Sequence, residues 1–383
     1  MQSANRWRWR GGAVLLAVLS SATALAVAGT PAAASPDAVP AASGNAFGTP
    51  TVTADAWAAG RAQFGRSVSA AQAVESFWTP ERMRSARKVE DSAAYLTAVK
   101  KYEKTVADAK STALRQPLRQ AATQATPRTV APQKNAAVGA GTQAGGPVPA
   151  AVNPGYAYWH PTARTSGKVF FVMGGLSYQC SGTIVNSEGQ DTVWTAGHCV
   201  HGGSGGAWAS NWQFVPSYDD DLVNPRPYGT WTATGLWSRT AWTNSSDFAE
   251  DMGVAIMGTN FGGWHIVSYL GGQGIQTGVG RVAYEYAFGY PAEWPFDGGN
   301  LYRCQGWSSA EWEVLWWWSE TIKIPCDMTR GSSGGGWLHD WDGNWGYLNG
   351  VNSRIDRIVN PTIMLSPYFD DTAWSLYNAT RFL

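Results

Sequence analysis

Cysteine, histidine and charge are scarce in this chain of 383 residues, which has four cysteines, five histidines and 15% charged residues. Four cysteines without paired C-x-x-C spacing do not form a zinc-binding set, and no metal or other cofactor is expected. Beyond the N-terminus there is no apolar run long enough to span a membrane, and no repeat of solenoid length occurs. What is abundant is tryptophan, with 22, and glycine, with 44. Low charge with many aromatics and glycines suits an all-β, turn-rich protein better than a helical one. The net charge of zero hides a split. Residues 1–150 carry 17 Lys and Arg against 8 Asp and Glu, and residues 151–383 carry 11 against 20. Two parts with different roles follow from this, and the acidic second part is unsuited to nucleic acid.

The N-terminus has the order of an export signal. Arg6, Arg8 and Arg10 precede an apolar run over 13–28, followed by small-residue sites at Ala26-Val27-Ala28 and Ala32-Ala33-Ala34. Ser20, Ser21 and Thr23 interrupt the run, which is short for a membrane anchor. Residues 1–34 are therefore expected to be a signal peptide, and the protein to be secreted and able to form disulfides. Residues 29–60 read as flexible. Two amphipathic helices are expected at about 67–88 and 90–115, with Thr79-Pro80-Glu81 resembling a helix start. Residues 118–154, rich in Gln, Ala, Pro and Gly, read as an exposed linker open to proteolysis. Past Pro154 short β-branched and aromatic runs predominate, at 168–172, 183–185, 192–194, 228–237, 252–257, 279–288, 312–324 and 345–351, which suggests barrels or a sandwich. The helical candidate of this half is 370–379.

Two stretches carry chemistry: Thr195-Ala196-Gly197-His198-Cys199 and Gly331-Ser332-Ser333-Gly334-Gly335. A serine hydroxyl needs a base within hydrogen-bonding reach, itself oriented by a third group. Glycines around Ser333 allow a tight turn that aims amides inward. The G-x-S-x-G spacing also matches the nucleophile elbow of α/β-hydrolases, but only His339 follows Ser333, with no room for the acid between them. The subtilisin order needs an acid well before His198, and Asp191 is only seven residues ahead. Chain order leaves His, Asp, Ser. His160, His201, His265 and His339 read as surface or loop residues, whereas His198 ends a β-like run and adjoins Cys199. A Cys180–Cys199 bridge would pin its loop. Asp251, at the head of the apolar run Met252-Gly253-Val254-Ala255-Ile256, is preferred as the acid over Asp247. Asp219-Asp220-Asp221 reads as a solvated acidic loop before it reads as a calcium site, and Trp316-Trp317-Trp318 as packing before a ligand strip.

In this order the three motifs resemble the chymotrypsin-fold, trypsin-like serine proteases over about residues 165–383. The resemblance implies two antiparallel six-stranded β-barrels with the site between them and a closing C-terminal helix. It implies His198 as general base, Asp251 as its orienter, Ser333 as nucleophile, and the amides of Gly331 and Ser333 as the oxyanion hole. Cys326-Asp327-Met328-Thr329-Arg330-Gly331, with Gly253 after Asp251, is similar to the bacterial glutamyl-endopeptidase branch. Three positions depart from pattern. Ser332 stands where animal trypsins carry the aspartate that pairs with a new N-terminus, Met328 where the branch has threonine, and Asn352 where it has its specificity histidine. Asp327, Met328, Asn352 and Ser353 are the residues expected around the specificity pocket, and no cleavage preference is assigned. Cys304 and Cys326 then form the second bridge.

The expected protein is thus a secreted serine endopeptidase acting through an acyl-enzyme on protein or peptide substrates. Residues 35–150 would be a propeptide, helical at about 67–115, that inhibits or assists folding of the domain 151–383. A monomer without a stable membrane anchor is expected. The alternatives are a non-catalytic secreted binding protein on the same barrels, and an esterase using the same residues.

Overall fold

The computed structural model describes residues 44–113, 125–135, 148–260, 262–311, 320–356 and 361–383. The expected signal peptide and Trp316–Trp318 lie outside the described residues.

A two-residue hairpin sets the first barrel. Strands Ser166–Met173 and Leu176–Val185 are joined by Gly174 and Gly175, with φ of 57° and 78°, the left-handed pair that a tight hairpin turn requires. Leu176–Val185 then pairs with Thr192–Thr195, which pairs with Gly253–Met257. That strand pairs with Trp231–Arg239, which meets Ser210–Pro216, and Ser210–Pro216 returns to Ser166–Met173. Six antiparallel strands therefore close on themselves into a barrel, with stretches of strand edge left over at its rim. Seven of the eight residues of Ser166–Met173 are buried. Successive side chains of a strand face opposite sides, so unbroken burial means that both sides are covered. Inside is the barrel core; outside, Trp78 from the N-terminal part lies 5.6 Å from Phe170.

The second half is built from a seven-stranded and a four-stranded sheet. Its own core holds Ala287, Cys304, Ile322, Ile324, Cys326, Met328, Trp337 and Met364. Both disulfides are present, Cys180–Cys199 and Cys304–Cys326. The chain ends in helix Asp371–Thr380, where Asp370 caps the free N–H of Thr372 at 2.8 Å and Leu376 and Tyr377 are fully buried. The fold is a trypsin-like double barrel.

The N-terminal part departs from expectation in three places. The helix expected over 67–88 is two, Ala70–Phe77 and Pro80–Arg84. Thr79, extended at ψ 158°, separates them, because the residue before a proline is pushed out of the helical region. The region read as flexible contains strand Asn45–Gly48, paired with Trp231–Arg239, and helix Ala54–Phe64, capped by Thr53. The region read as a linker contributes Arg128–Val130, paired with Gly274–Thr277, and Val148–Val152, paired with Tyr302–Trp307. All three strands owe their order to partners more than 140 residues away, a signal that local composition does not carry. Helix Ala93–Ala113 follows a single 3-10 turn, Val89–Asp91.

Candidate active site

His198 sits on a 3-10 turn, Gly197–Cys199, that follows strand Thr192–Thr195. The Cys180–Cys199 bridge ties this turn to the neighbouring strand, and the Trp212 indole donates to the Cys199 carbonyl at 3.0 Å. Gly197 is required here: a Cβ would lie 2.9 Å from the Trp242 ring and 3.0 Å from Asp251 Oδ1. Asp251 comes two residues before strand Gly253–Met257, the direct neighbour of Thr192–Thr195, so the barrel's strand order brings acid and imidazole together. Its Oδ1 accepts from the His198 backbone N–H at 2.8 Å, and its Oδ2 meets His198 Nδ1 at 2.8 Å. Oδ2 also accepts the Ser353 hydroxyl at 2.6 Å. An ionised carboxylate only accepts, so the shared proton lies on Nδ1 and Nε2 is left as the basic nitrogen. The rival, Asp247, caps its own turn by accepting from Ala249 N–H at 3.0 Å.

The Ser333 loop is held from both halves. Ser181 of the first barrel donates its N–H to the Ser333 carbonyl at 2.7 Å and its hydroxyl to the Gly331 carbonyl at 3.1 Å. From the second half, the Asn352 carbonyl accepts Gly334 N–H at 2.7 Å. Gly331 and Gly334 take φ of 97° and 83°. Ser332 turns its hydroxyl onto the Thr329 carbonyl at 2.8 Å and braces the loop internally.

The residues expected around the specificity pocket are each held in place by nearby groups. Asn352 is fully buried, and its amide donates to the carbonyls of Phe288 and Ser332 and accepts from the Trp337 indole at 2.7 Å. Met328 belongs to the second core. Asp327 accepts the backbone N–H of Ala151. Ser353 is the orienting partner of Asp251, a role its sequence context does not announce. Two histidines read as surface or loop residues are buried. His160 stacks on Tyr156 at 3.9 Å, and burial pushes its imidazole down to about 4; His201 Nδ1 accepts from Gly203 N–H at 3.1 Å. In the acidic loop, Asp220 accepts the Tyr218 hydroxyl at 2.6 Å and Asp221 accepts from Asn300 at 3.1 Å. Near them Lys168, held by the Gly298 carbonyl at 2.7 Å, is lowered by burial to about 8.

One residue at the site comes from far upstream. Glu90 Oε1 accepts the Ser333 hydroxyl at 2.6 Å and the Gly331 N–H at 2.9 Å. Strand Arg87–Lys88 pairs in parallel with Tyr178 and Gln179, and Asp91 forms an ion pair with Arg330. The Tyr95 ring stands 4.8 Å from the His198 ring, and its hydroxyl donates to the Ser353 carbonyl at 3.1 Å. Farther along the same helix the Tyr102 hydroxyl donates to Glu311 at 2.7 Å. His198 and Ser333 are consequently 2% and 5% exposed, so the N-terminal part closes the cleft. Nothing in the local sequence marks Glu90, which sits in a charged run like any solvated acid.

Among the described residues one cluster has metal-ligating side chains close enough together, Cys180, His198 and Cys199, and both its sulfurs are spent in a disulfide. No family model matches the chain. It is similar to the thermostable serine protease AL20 from an extremophilic microorganism, at 37% identity and a TM-score of 0.52, over 57% of this chain and 97% of that one. It is similar to the protease Anisep from Arthrobacter nicotinovorans, at 37% identity and a TM-score of 0.53, over 58% of this chain and 97% of that one. A curated relative, the extracellular metalloprotease of Bacillus subtilis (strain 168), is 36% identical over 92 residues, 23% of this chain and 27% of that protein. The chain thus spans about a quarter of the length of that relative.

Proposed function

The chain belongs to the chymotrypsin-fold serine proteases and is a serine endopeptidase, and we propose that it is exported as a latent proenzyme whose triad is His198, Asp251 and Ser333. Ser333 Oγ attacks the peptide carbonyl while His198 Nε2 takes its proton and returns it to the leaving amine. Asp251 holds the imidazole in the required tautomer and stabilises the imidazolium, with Ser353 fixing the carboxylate in turn. The amides of Gly331 and Ser333 receive the oxyanion, and water then releases the acyl-enzyme. The single observation that carries this reading is the buried Asp251 carboxylate bonded at 2.8 Å to both the backbone and Nδ1 of His198.

Export is supported by the basic and apolar N-terminus, by two disulfides, and by the extracellular relative. No helix among the described residues is long and apolar enough to cross a membrane. Latency is supported by the N-terminal part lying across His198 and Ser333, so that in the uncut chain it acts as an intramolecular inhibitor. Its release would uncover the cleft for a protein or peptide substrate. The test is to purify the secreted protein, sequence its N-terminus and assay casein cleavage. An active form starting near residue 150 is expected, with S333A inactive. A fully active form starting near residue 30, or S333A cleaving at the wild-type rate, refutes the reading.

A further inference from the structure

We propose that Glu90 is a carboxylate ligand of the oxyanion hole that keeps Ser333 unreactive in the uncut chain, so that latency resides in one side chain as well as in coverage of the cleft. The proposal rests on the reading of Ser333 as nucleophile and of the N-terminal part as a proenzyme segment. One oxygen of Glu90 takes two bonds that the reaction needs elsewhere. The Gly331 N–H, at 2.9 Å, is the donor that a substrate carbonyl would use, and the Ser333 O–H, at 2.6 Å, is the proton that His198 must remove. In keeping with this, His198 Nε2 has no hydrogen-bond partner among the described residues.

The carboxylate has a built place. It is 4% exposed, and its other oxygen, Oε2, has no partner among the described residues. Its hydrogen bonding among them is therefore spent on the nucleophile loop. A buried carboxylate is tolerable only where such donors meet it. Its position is clamped on both sides, by strand Arg87–Lys88 against Tyr178 and Gln179 and by Asp91 on Arg330. What reaches Ser333 is a side-chain carboxylate and not a main-chain carbonyl. No peptide bond is offered at that point, and a carboxylate is a poor electrophile, so the segment can occupy the site without being cut there.

The experiment uses the full, uncut chain and a fluorophosphonate probe, small enough to react where a protein substrate cannot enter. Ser333 Oγ bonds to phosphorus, fluoride leaves, and the hydroxyl proton passes to His198. Wild type, E90A and E90D are compared, with S333A as the control for labelling position. E90D keeps the charge but is one methylene too short to reach. Both variants should label at Ser333 at least about ten times faster than the uncut wild type, because two charge-assisted bonds are lost. Casein cleavage by the same uncut variants should stay near zero, because Tyr95 and the paired strand still cover the cleft. Equal labelling of wild type and both variants, with the processed enzyme labelling normally, overturns the role of Glu90. Casein cleavage rising in step with labelling also overturns it, since Glu90 would then only anchor the segment. A processed wild-type enzyme that never labels would instead sink the serine-nucleophile reading.

Discussion

The substitution Asp251→Asn tests the geometry of the site with the smallest change in shape. The two carboxylate oxygens of Asp251 face different donors: Oδ1 meets the His198 backbone N–H, and Oδ2 meets Nδ1 and the Ser353 hydroxyl. A backbone donor cannot change its role, so an asparagine amide placed at the Oδ1 position would oppose N–H to N–H, at a cost of roughly 1–3 kcal/mol. The amide nitrogen must therefore take the Oδ2 place, where it donates to Nδ1. The imidazole then carries its proton on Nε2 and can no longer accept one from Ser333. D251N in the processed enzyme should fold normally, and kcat should fall by about ten-thousand-fold, or ~5.5 kcal/mol of transition-state stabilisation. KM on a peptide substrate should hardly move, because Asp251 is fully buried and touches no substrate. The assay is steady-state hydrolysis across neutral to alkaline pH, with circular dichroism as the control for folding. A loss in kcat smaller than about ten-fold would refute the tautomer argument.

Two further outcomes follow from buried groups. Gly334 has φ of 83°, and a Cβ there would overlap Thr195 Oγ1 and lie 2.5 Å from the Ser181 carbonyl oxygen. G334A adds a left-handed penalty of roughly 1–2 kcal/mol to that clash, so a lower Tm and loss of casein cleavage are expected; unchanged values would mean that the loop is not held as described. Burial pushes the Glu285 carboxyl from 4.5 up to about 8, opposed in part by Asn349, which donates to it at 2.8 Å. Because the folded protein holds this proton more tightly than the unfolded chain, its contribution to stability is complete below about 4.5 and is lost as pH rises through about 8. E285Q removes that titration, leaving Asp340 as the charged neighbour and the His339 ring 3.7 Å away. Its stability relative to wild type should therefore climb with pH across this window by at most ~1.4 kcal/mol per unit, as read by urea unfolding, and a flat difference would show that Glu285 is ionised in the folded state.

Where the candidate site rests on short local patterns, its geometry was readable from the sequence. A histidine ending one strand and an aspartate heading another meet when those strands are neighbours, and Thr192–Thr195 and Gly253–Met257 are. The glycines around Ser333 mark a turn that only glycine permits. Ser353 was legible as a residue near the site but not in its role, because a hydroxyl's partner depends on which strand lies opposite. Glu90 was not legible at all: it reaches Ser333 across 243 positions, and a lone acid in a charged segment carries no sign of its destination. Strands Asn45–Gly48 and Arg128–Val130 escaped for a related reason. They are too short to order themselves, and gain their hydrogen bonds from strand edges formed elsewhere in the chain.

Strand Asn45–Gly48 matters for more than its few hydrogen bonds. It grips the first barrel at Trp231–Arg239, while Tyr102, more than fifty residues further on, grips the second half at Glu311. The N-terminal part is thus fastened to both halves as well as over the cleft. Cutting the chain beyond it changes the bookkeeping from a tether to a complex. Before the cut its effective local concentration is fixed by the covalent connection; afterwards it depends on how much protein is present. Under the proposed latency, severing one peptide bond is only the first step toward activity, and departure or digestion of the severed piece is the second. Two samples of the same cut protein, one concentrated and one dilute, would differ in how much of their hydrolytic capacity is free.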